Sequence, residues 1–241
     1  MTDLLISDLH LQPDREDLTR LFNHFITGPA YEGDRLFILG DFFEYWIGDD
    51  FSHPWLSDIE QKLRNYTATG RTLVIMHGNR DFLIGQTFCE RVGAKLLAEP
   101  SVETIGGIPS LITHGDELCT DDLEYQAFRR KVRDPEWQAA FLSQPLASRI
   151  AFAEDARSHS RQKQAEYNES ITDVNPDAVL AAFRTYDVHR MIHGHTHRQA
   201  IHQIECDGRL AERIVLGDWG KTGCYCQCHN GHRQLINFVA P

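Results

Sequence analysis

The sequence predicts a layered α/β fold, with two sheets facing each other, helices outside, and a helical cap inserted near the middle. Three observations predict it. Short apolar runs recur and end in polar clusters; the C-terminal quarter carries strand-like runs joined by short glycine-containing turns; and residues 118–173 show helical signal with no strand signal.

The apolar runs come first. Residues 4–6 end at Ser7-Asp8, residues 36–39 at Gly40-Asp41, and residues 73–76 at His77-Gly78-Asn79. Residues 108–113 end at His114-Gly115-Asp116, and residues 191–192 at His193-Gly194-His195. Short continuous apolar runs read as buried strands. Residues 16–25 and 55–65 have roughly helical apolar spacing and separate the first three runs. Residues 200–204, 213–216, 225–227 and 235–239 follow, with Asp207-Gly208 and Asn230-Gly231 between pairs of them, which predicts hairpins. Polar residues gathered at strand ends are where layered α/β folds build sites.

The inserted segment has a composition of its own. It carries Leu123, Tyr125, Phe128, Val132, Trp137, Phe141, Leu142, Leu146, Ile150 and Phe152, together with Arg129, Arg130, Lys131, Arg133, Arg149, Arg157, Arg161 and Lys163. In a chain of net charge −11 this is a basic, apolar, helical insertion, expected to lie over the site. The expected division is a core of residues 1–117 and 174–241 with a cap of residues 118–173.

The bulk numbers bound the function. A chain of 241 residues is long enough for one large domain carrying such an insertion. Its acidity argues against general nucleic-acid binding, which needs a basic footprint. No apolar run approaches the ~18 residues of a membrane-spanning helix. The first residues carry neither the basic region nor the long apolar region of a secretory signal, so the protein is expected to stay in the compartment where it is made. Cys224, Cys226 and Cys228 alternate. They read as small apolar side chains under a sheet rather than as a zinc site, because the spacing is not that of a zinc knuckle.

Five clusters carry chemistry: Asp8-Leu9-His10, Gly40-Asp41, Gly78-Asn79-Arg80-Asp81, His114, and Gly194-His195-Thr196-His197. Each follows a predicted strand. Two divalent ions held ~3.5–4 Å apart need a bridging anion, and a carboxylate supplies one. A mixed set of imidazole, carboxylate and amide oxygen suits manganese, iron, zinc or cobalt better than magnesium or calcium. Gly40, Gly78 and Gly194 allow the backbone to turn sharply beside Asp41, Asn79 and His195. His77, His193, Glu44 and Asp81 are candidates to orient the site from behind, and Asp49-Asp50 reads as a solvated loop.

The set resembles the calcineurin-like metallophosphoesterase superfamily across nearly the whole chain. That resemblance implies a four-layer α-β-β-α sandwich. It implies one ion on Asp8, His10, Asp41 and His197, and a second on Asp41, Asn79, His114 and His195, with Asp41 bridging and a metal-activated water as the nucleophile. One departure is informative. The third cluster has Arg80 where the superfamily usually has the histidine that assists the leaving group. Arginine stabilises charge but does not donate a proton near neutral pH, so Arg80 favours phosphoanhydride cleavage, whose leaving phosphate needs no proton.

The finer pattern is similar to the UDP-2,3-diacylglucosamine hydrolase family of the lipid A pathway. It comprises the stretches around Asp8, Asp41 and Asn79, then Trp46-Ile47-Gly48-Asp49-Asp50, Leu118-Cys119-Thr120-Asp121-Asp122, Asp173-Val174-Asn175-Pro176 and Leu216-Gly217-Asp218-Trp219. The resemblance implies hydrolysis of the pyrophosphate of UDP-2,3-diacylglucosamine to UMP and 2,3-diacylglucosamine 1-phosphate with two Mn2+ ions, by a peripheral protein on the cytoplasmic side of the bacterial inner membrane. It implies catalytic roles for Asp41, Arg80 and His195, and substrate contacts from Asn79, Arg80, Asp122, Ser160, Gln164, Tyr167 and His195. Gln164 and Tyr167 stand where the family typically has Asn or Thr and then Lys. The cap would hold the acyl chains and offer its basic residues to an anionic membrane surface. No nucleic acid and no obligate protein partner is expected. The alternative is cleavage of a soluble nucleotide pyrophosphate, which needs no apolar chamber. A non-catalytic scaffold would show broken ligand sets, and none is broken here.

Overall fold

The computed structural model describes residues 1–166 and 173–241, and for residues 157–166 the helical backbone alone. Two sheets face each other. The first has the order β11-β10-β1-β2-β3-β4 and the second β5-β6-β7-β9-β8. In the first sheet, β1 (Thr2–Ile6), β2 (Arg35–Leu39), β3 (Thr72–Met76) and β4 (Ala94–Leu97) run parallel. The hairpin β10 (Gly223–His229) and β11 (His232–Phe238) extends that sheet antiparallel to β1. In the second sheet, β6 (Ile108–Ile112), β7 (Arg190–His193) and β9 (Arg209–Val215) are parallel, flanked by β5 (Ser101–Ile105) and β8 (Ala200–Cys206).

The four predicted layers are present, and the buried side chains show why. Leu5, Phe37, Leu39, Val74 and Met76 meet Ile105, Ile112, Ile192 and Ile214 between the sheets. The other face of the first sheet buries α1 (Glu16–Thr27), α2 (Pro54–Thr67) and α3 (Gln86–Val92) through Leu18, Leu21, Phe22, Phe25, Leu63 and Phe88. In α1 the buried set Leu18, Leu21, Phe22, Phe25 and Ile26 follows the helical period. The other face of the second sheet buries α7 (Pro176–Tyr186) through Val179 and Phe183. Asn175 caps that helix by accepting from the Asp177 and Ala178 N–H groups, with Pro176 at its first position. Burying each such Leu, Ile or Phe stabilises the fold by about 1.5–3 kcal/mol.

The hairpin turns form where the sequence places them. Asp207 (φ 52°) with Gly208 (φ 75°), and Asn230 (φ 48°) with Gly231 (φ 79°), have the paired positive φ of two-residue turns. Cys226 and Cys228 pack between the sheets with their sulfurs 3.7 Å apart, while the Cys224 thiol donates to the Gly217 carbonyl. Sequence pattern did not reveal β4, β5 or α3, whose residues are short or half-buried.

Among the described residues between β6 and α7 stand three α-helices: α4 (Leu123–Val132), α5 (Pro135–Leu142) and α6 (Leu146–Glu166). Asp122 and Asp134 cap the first two. Val132 and Phe141 are buried against the main core, and Trp137, Phe141 and Phe152 pack ring on ring. These aromatics are closed on one another. Three of the basic residues expected to face a membrane surface point inward instead. Arg129 and Arg133 pair with Glu99, and Arg149, only 3% exposed, binds Asp50 and the Ile47 carbonyl. The Asp49-Asp50 loop is therefore not merely solvated. Asp49 also accepts from Trp46 Nε1 and from the N–H groups of Gly85 and Phe88. A buried cation needs a carboxylate, and these partners lie far away in sequence.

Candidate metal centre

Strands β1, β2 and β3 of one sheet and β6 and β7 of the other end at a common edge. Asp8 and His10 follow β1, Asp41 follows β2, Asn79 follows β3, His114 follows β6, and His195 and His197 follow β7. The chain turns abruptly at each. Eight non-glycine residues among those described have positive φ, and five of them are Asp8, His10, Asp41, His195 and His197. Left-handed backbone costs such residues about 1–3 kcal/mol each, so the surroundings must impose it. The N–H groups of Leu9 and His10 both donate to the Asp41 carbonyl, at 2.9 and 3.0 Å, and His195 N–H donates to Asp8 Oδ2 at 3.0 Å. Asp81, fully buried, accepts from the N–H groups of Gly78, Asp41 and Phe42 and ties the β2 and β3 loops together. At Gly194 a Cβ would meet Asp8 Oδ2 at 2.2 Å and Ser7 Oγ at 2.3 Å, so only glycine lets the last loop approach the first.

The side chains converge. Asn79 Oδ1 lies 2.8 Å from His114 Nε2 and 2.9 Å from His195 Nδ1. Asp41 Oδ1 is 3.6 Å from His114 Nε2, and Asp41 Oδ2 is 3.9 Å from His10 Nε2, so its two oxygens face opposite halves of the cluster. Asp8 Oδ1 is 3.4 Å from His197 Nε2. The groups Asp8, His10, His197 and Asp8, Asp41, His114 each present ligand atoms within 4.8 Å of one another. Two rings are oriented from behind. His114 Nδ1 donates to the Leu39 carbonyl at 2.9 Å, which aims Nε2 at the cluster, and His10 Nδ1 lies 3.1 Å from Glu44 Oε2. His77 and His193 face away, on the Ile84 and Gly194 carbonyls respectively.

A family model described as calcineurin-like phosphoesterase matches residues 1–199. The chain belongs to the calcineurin-like phosphoesterase family. A UDP-2,3-diacylglucosamine hydrolase of Stenotrophomonas maltophilia is 49% identical over 230 residues, which cover 92% of this chain and 93% of that protein. One of Marinobacter nauticus is 49% identical over 222 residues, covering 92% and 91%. A solved archaeal phosphodiesterase matches 99% of this chain and 100% of its own, with 12% identity and a TM-score of 0.50, a likeness of fold.

Calcineurin-like phosphoesterases are hydrolytic and use a dinuclear metal site, and the residues here fit one. Burial pushes the Asp41 carboxyl up, with neighbouring Asp81 and Asp8 adding to the shift against His114 and His10, so the charged form calls for a cation. Burial and the adjacent His114 push His195 down to about 3, toward the neutral form that binds metal. At His114 burial is outweighed by the charges of Asp41 and Asp8, which raise it to about 9, so an ion held there displaces a proton. His10 Nε2 is buried with no hydrogen-bond partner. Such a donor set can hold two divalent ions.

The remaining predicted residues are less uniform. Arg80 is half-buried, and its N–H donates to Asp41 Oδ1 at 2.8 Å. Asp122 is engaged as the cap of α4, accepting from Tyr125 N–H at 2.9 Å. Ser160 and Gln164 fall on the stretch of α6 whose side chains are not described, and Tyr167 lies outside the described residues. Sequence reasoning missed Glu99, Asp116 and the inward role of Tyr125, Arg129 and Arg133. Asp116 is fully buried and accepts from the Tyr125 hydroxyl and from Arg129 Nε. The only linear signal was their spacing on α4, which places the three on one helical face. Asp218, 3.8 Å from His197 Nδ1, was quoted only as part of a pattern.

Proposed function

We propose that this phosphoesterase hydrolyses the pyrophosphate bond of UDP-2,3-diacylglucosamine, releasing UMP and 2,3-diacylglucosamine 1-phosphate. The observation that carries the reading is the convergence of seven ligand-type side chains with an arginine, not an acid, beside Asn79. The names of relatives sharing nearly half their residues with this chain supply the substrate class.

In this reading Asp8, His10, Asp41 and His197 hold one Mn2+ ion and Asp41, Asn79, His114 and His195 the other. Bound there, such ions would supply an attacking water activated near neutral pH and would neutralise phosphate charge. Asp41 presents one oxygen to each half of the cluster. Arg80 stabilises the phosphate oxygens as negative charge develops. No general acid is needed, because phosphate leaves as a stable anion. Residues 118–173 form the cap. Its apolar side chains line the place of the acyl chains, each buried methylene contributing ~0.8 kcal/mol. No helix among the described residues is long and apolar enough to cross a membrane. Attachment to the cytoplasmic side of the inner membrane is peripheral, through exposed Leu123, Phe128, Leu142 and Leu146 beside Arg130 and Lys131.

The test is hydrolysis by metal-stripped protein, with and without added Mn2+, of UDP-2,3-diacylglucosamine, UDP-N-acetylglucosamine and p-nitrophenyl phosphate. Manganese-dependent release of UMP from the diacylated substrate alone supports the reading. Equal activity on the unacylated nucleotide sinks the lipid assignment. Sedimentation with anionic vesicles reads the membrane contact.

A further inference from the structure

Helix α4 turns one stripe toward the metal centre: Tyr125, Arg129 and, at its end, Arg133. The Tyr125 ring lies over the His195 ring, with centroids 6.0 Å apart and planes at 27°, and its hydroxyl donates to Asp116 Oδ2. Arg129 Nε donates to the same oxygen at 2.9 Å, and Arg129 Nη2 lies 3.3 Å from Glu99 Oε2. Arg133 Nη2 donates to Glu99 Oε2 at 3.1 Å and to the Gly78 carbonyl at 3.0 Å, one residue before Asn79. The other oxygen of Glu99 faces the opposite way. Glu99 Oε1 accepts from the His114 N–H at 2.8 Å and from Thr113 Oγ1 at 3.2 Å.

Glu99 therefore has one oxygen on the backbone of a ligand and the other on two arginines of the helix above. Its side chain is only 3% exposed, so both contacts are shielded from water. A chain fold can bury an ion pair for other reasons, but a purely structural pair does not require that every branch end on a ligand loop. Here the branches end at His114, at Gly78 beside Asn79, and, through Asp116 and Tyr125, against His195.

We infer that Glu99 is a positioning residue, which fixes His114 with one oxygen and seats α4 over the metal centre with the other. The inference rests on the metal-dependent hydrolysis proposed above and extends it: the helix that covers the substrate and the ligand beneath it are held as one unit. Removing the carboxylate loosens both together.

The experiment compares the full-length protein with Glu99→Ala, Glu99→Gln and Asp3→Asn. The last breaks another buried pair, that of Asp3 with Arg35, at the end of β1 opposite Asp8. Mn2+ affinity is read by titration with electron paramagnetic resonance, and kcat and KM on UDP-2,3-diacylglucosamine. Glu99→Ala is expected to weaken one of the two Mn2+ sites and to lower kcat, each by about 10–100-fold, with KM within about threefold. Glu99→Gln, which still accepts from His114 N–H, is expected to restore most of the Mn2+ affinity. Asp3→Asn is expected to lower Tm and leave Mn2+ affinity and kcat unchanged. Wild-type Mn2+ affinity and kcat in folded Glu99→Ala would overturn the inference and reduce the network to a fold-stabilising one. If the wild-type protein does not cleave the diacylated substrate, the substrate assignment fails, but the Mn2+ titration still decides the role of Glu99.

Discussion

Apart from Asp187, which ends α7, the described non-glycine residues in left-handed backbone fall in two regions of the molecule, and for different reasons. Asp207 and Asn230 sit at exposed hairpin turns, each followed by a glycine. There the conformation is local: short polar side chains tolerate it, and the twist of the paired strands favours it. At the strand ends, Asp8, His10, Asp41, His195 and His197 adopt the same φ, and Asp8 and Asp41 do so while buried. There no hairpin twist and no following glycine favours it, and contacts between loops impose it. The difference teaches where strain is stored. In the turns it is nearly free and serves the fold; at the candidate metal centre it costs energy, and the side chains it aims converge on one another.

The comparison breaks most visibly if the metal is dispensable. Chelation, or Asp41→Ala, is expected to lower hydrolysis of the pyrophosphate substrate by more than about 10³-fold, with activity returning on Mn2+ addition only in the chelated wild type. UMP release measures it. Survival of activity in either case would leave the strained loops without the purpose given to them.

Gly194→Ala sharpens the same contrast. The added Cβ meets Asp8 Oδ2 and Ser7 Oγ at distances no real Cβ tolerates, so the β7 loop must withdraw from the β1 loop. Expected are a loss of about 10²-fold in kcat and about 2 kcal/mol of stability, read by kinetics and by denaturant unfolding. Asp81→Asn comes next. It keeps the shape but replaces an acceptor of several backbone N–H groups by one with half the acceptor oxygens. A loss of about 1–3 kcal/mol is expected, together with weaker Mn2+ binding. Unchanged Mn2+ affinity would show that the β2 and β3 loops do not need that tie.

The candidate metal centre was legible because each cluster of ligand-type residues directly follows an apolar strand run, and linear order is all that such a pattern needs. Asp8, Asp41, Asn79, His114 and His195 could each be placed at a strand end before any coordinates. The cap was legible as helices but not as an interface. Arg129, Arg133 and Arg149 read as part of a basic face offered to an anionic membrane surface, because charged residues are rarely buried without partners. Their partners lie elsewhere in the chain: Glu99 stands 34 residues before Arg133, and Asp50 stands 99 before Arg149. Neither separation leaves a periodic trace. Strands β4 and β5 escaped for a related reason, since edge residues such as the exposed Lys95 and the half-buried Glu103 interrupt the apolar signal.

The smallest effect is expected in the other region. Asn230 is exposed, and its turn joins β10 to β11 far from any ligand in the chain order of the strands. Asn230→Gly removes a side chain that makes the left-handed turn tolerable and substitutes a residue for which that region carries no steric cost. Against this, glycine gives the unfolded chain more freedom to lose. The two effects oppose each other, so the change in stability is expected to stay within about 0.5 kcal/mol, a shift in Tm of about 1–2 °C for a chain of this size. Activity is expected to be that of wild type. A Tm loss as large as that of Gly194→Ala would mean that the turn, too, is held by the tertiary structure, and the distinction between local and imposed strain would no longer separate the metal centre from the hairpins.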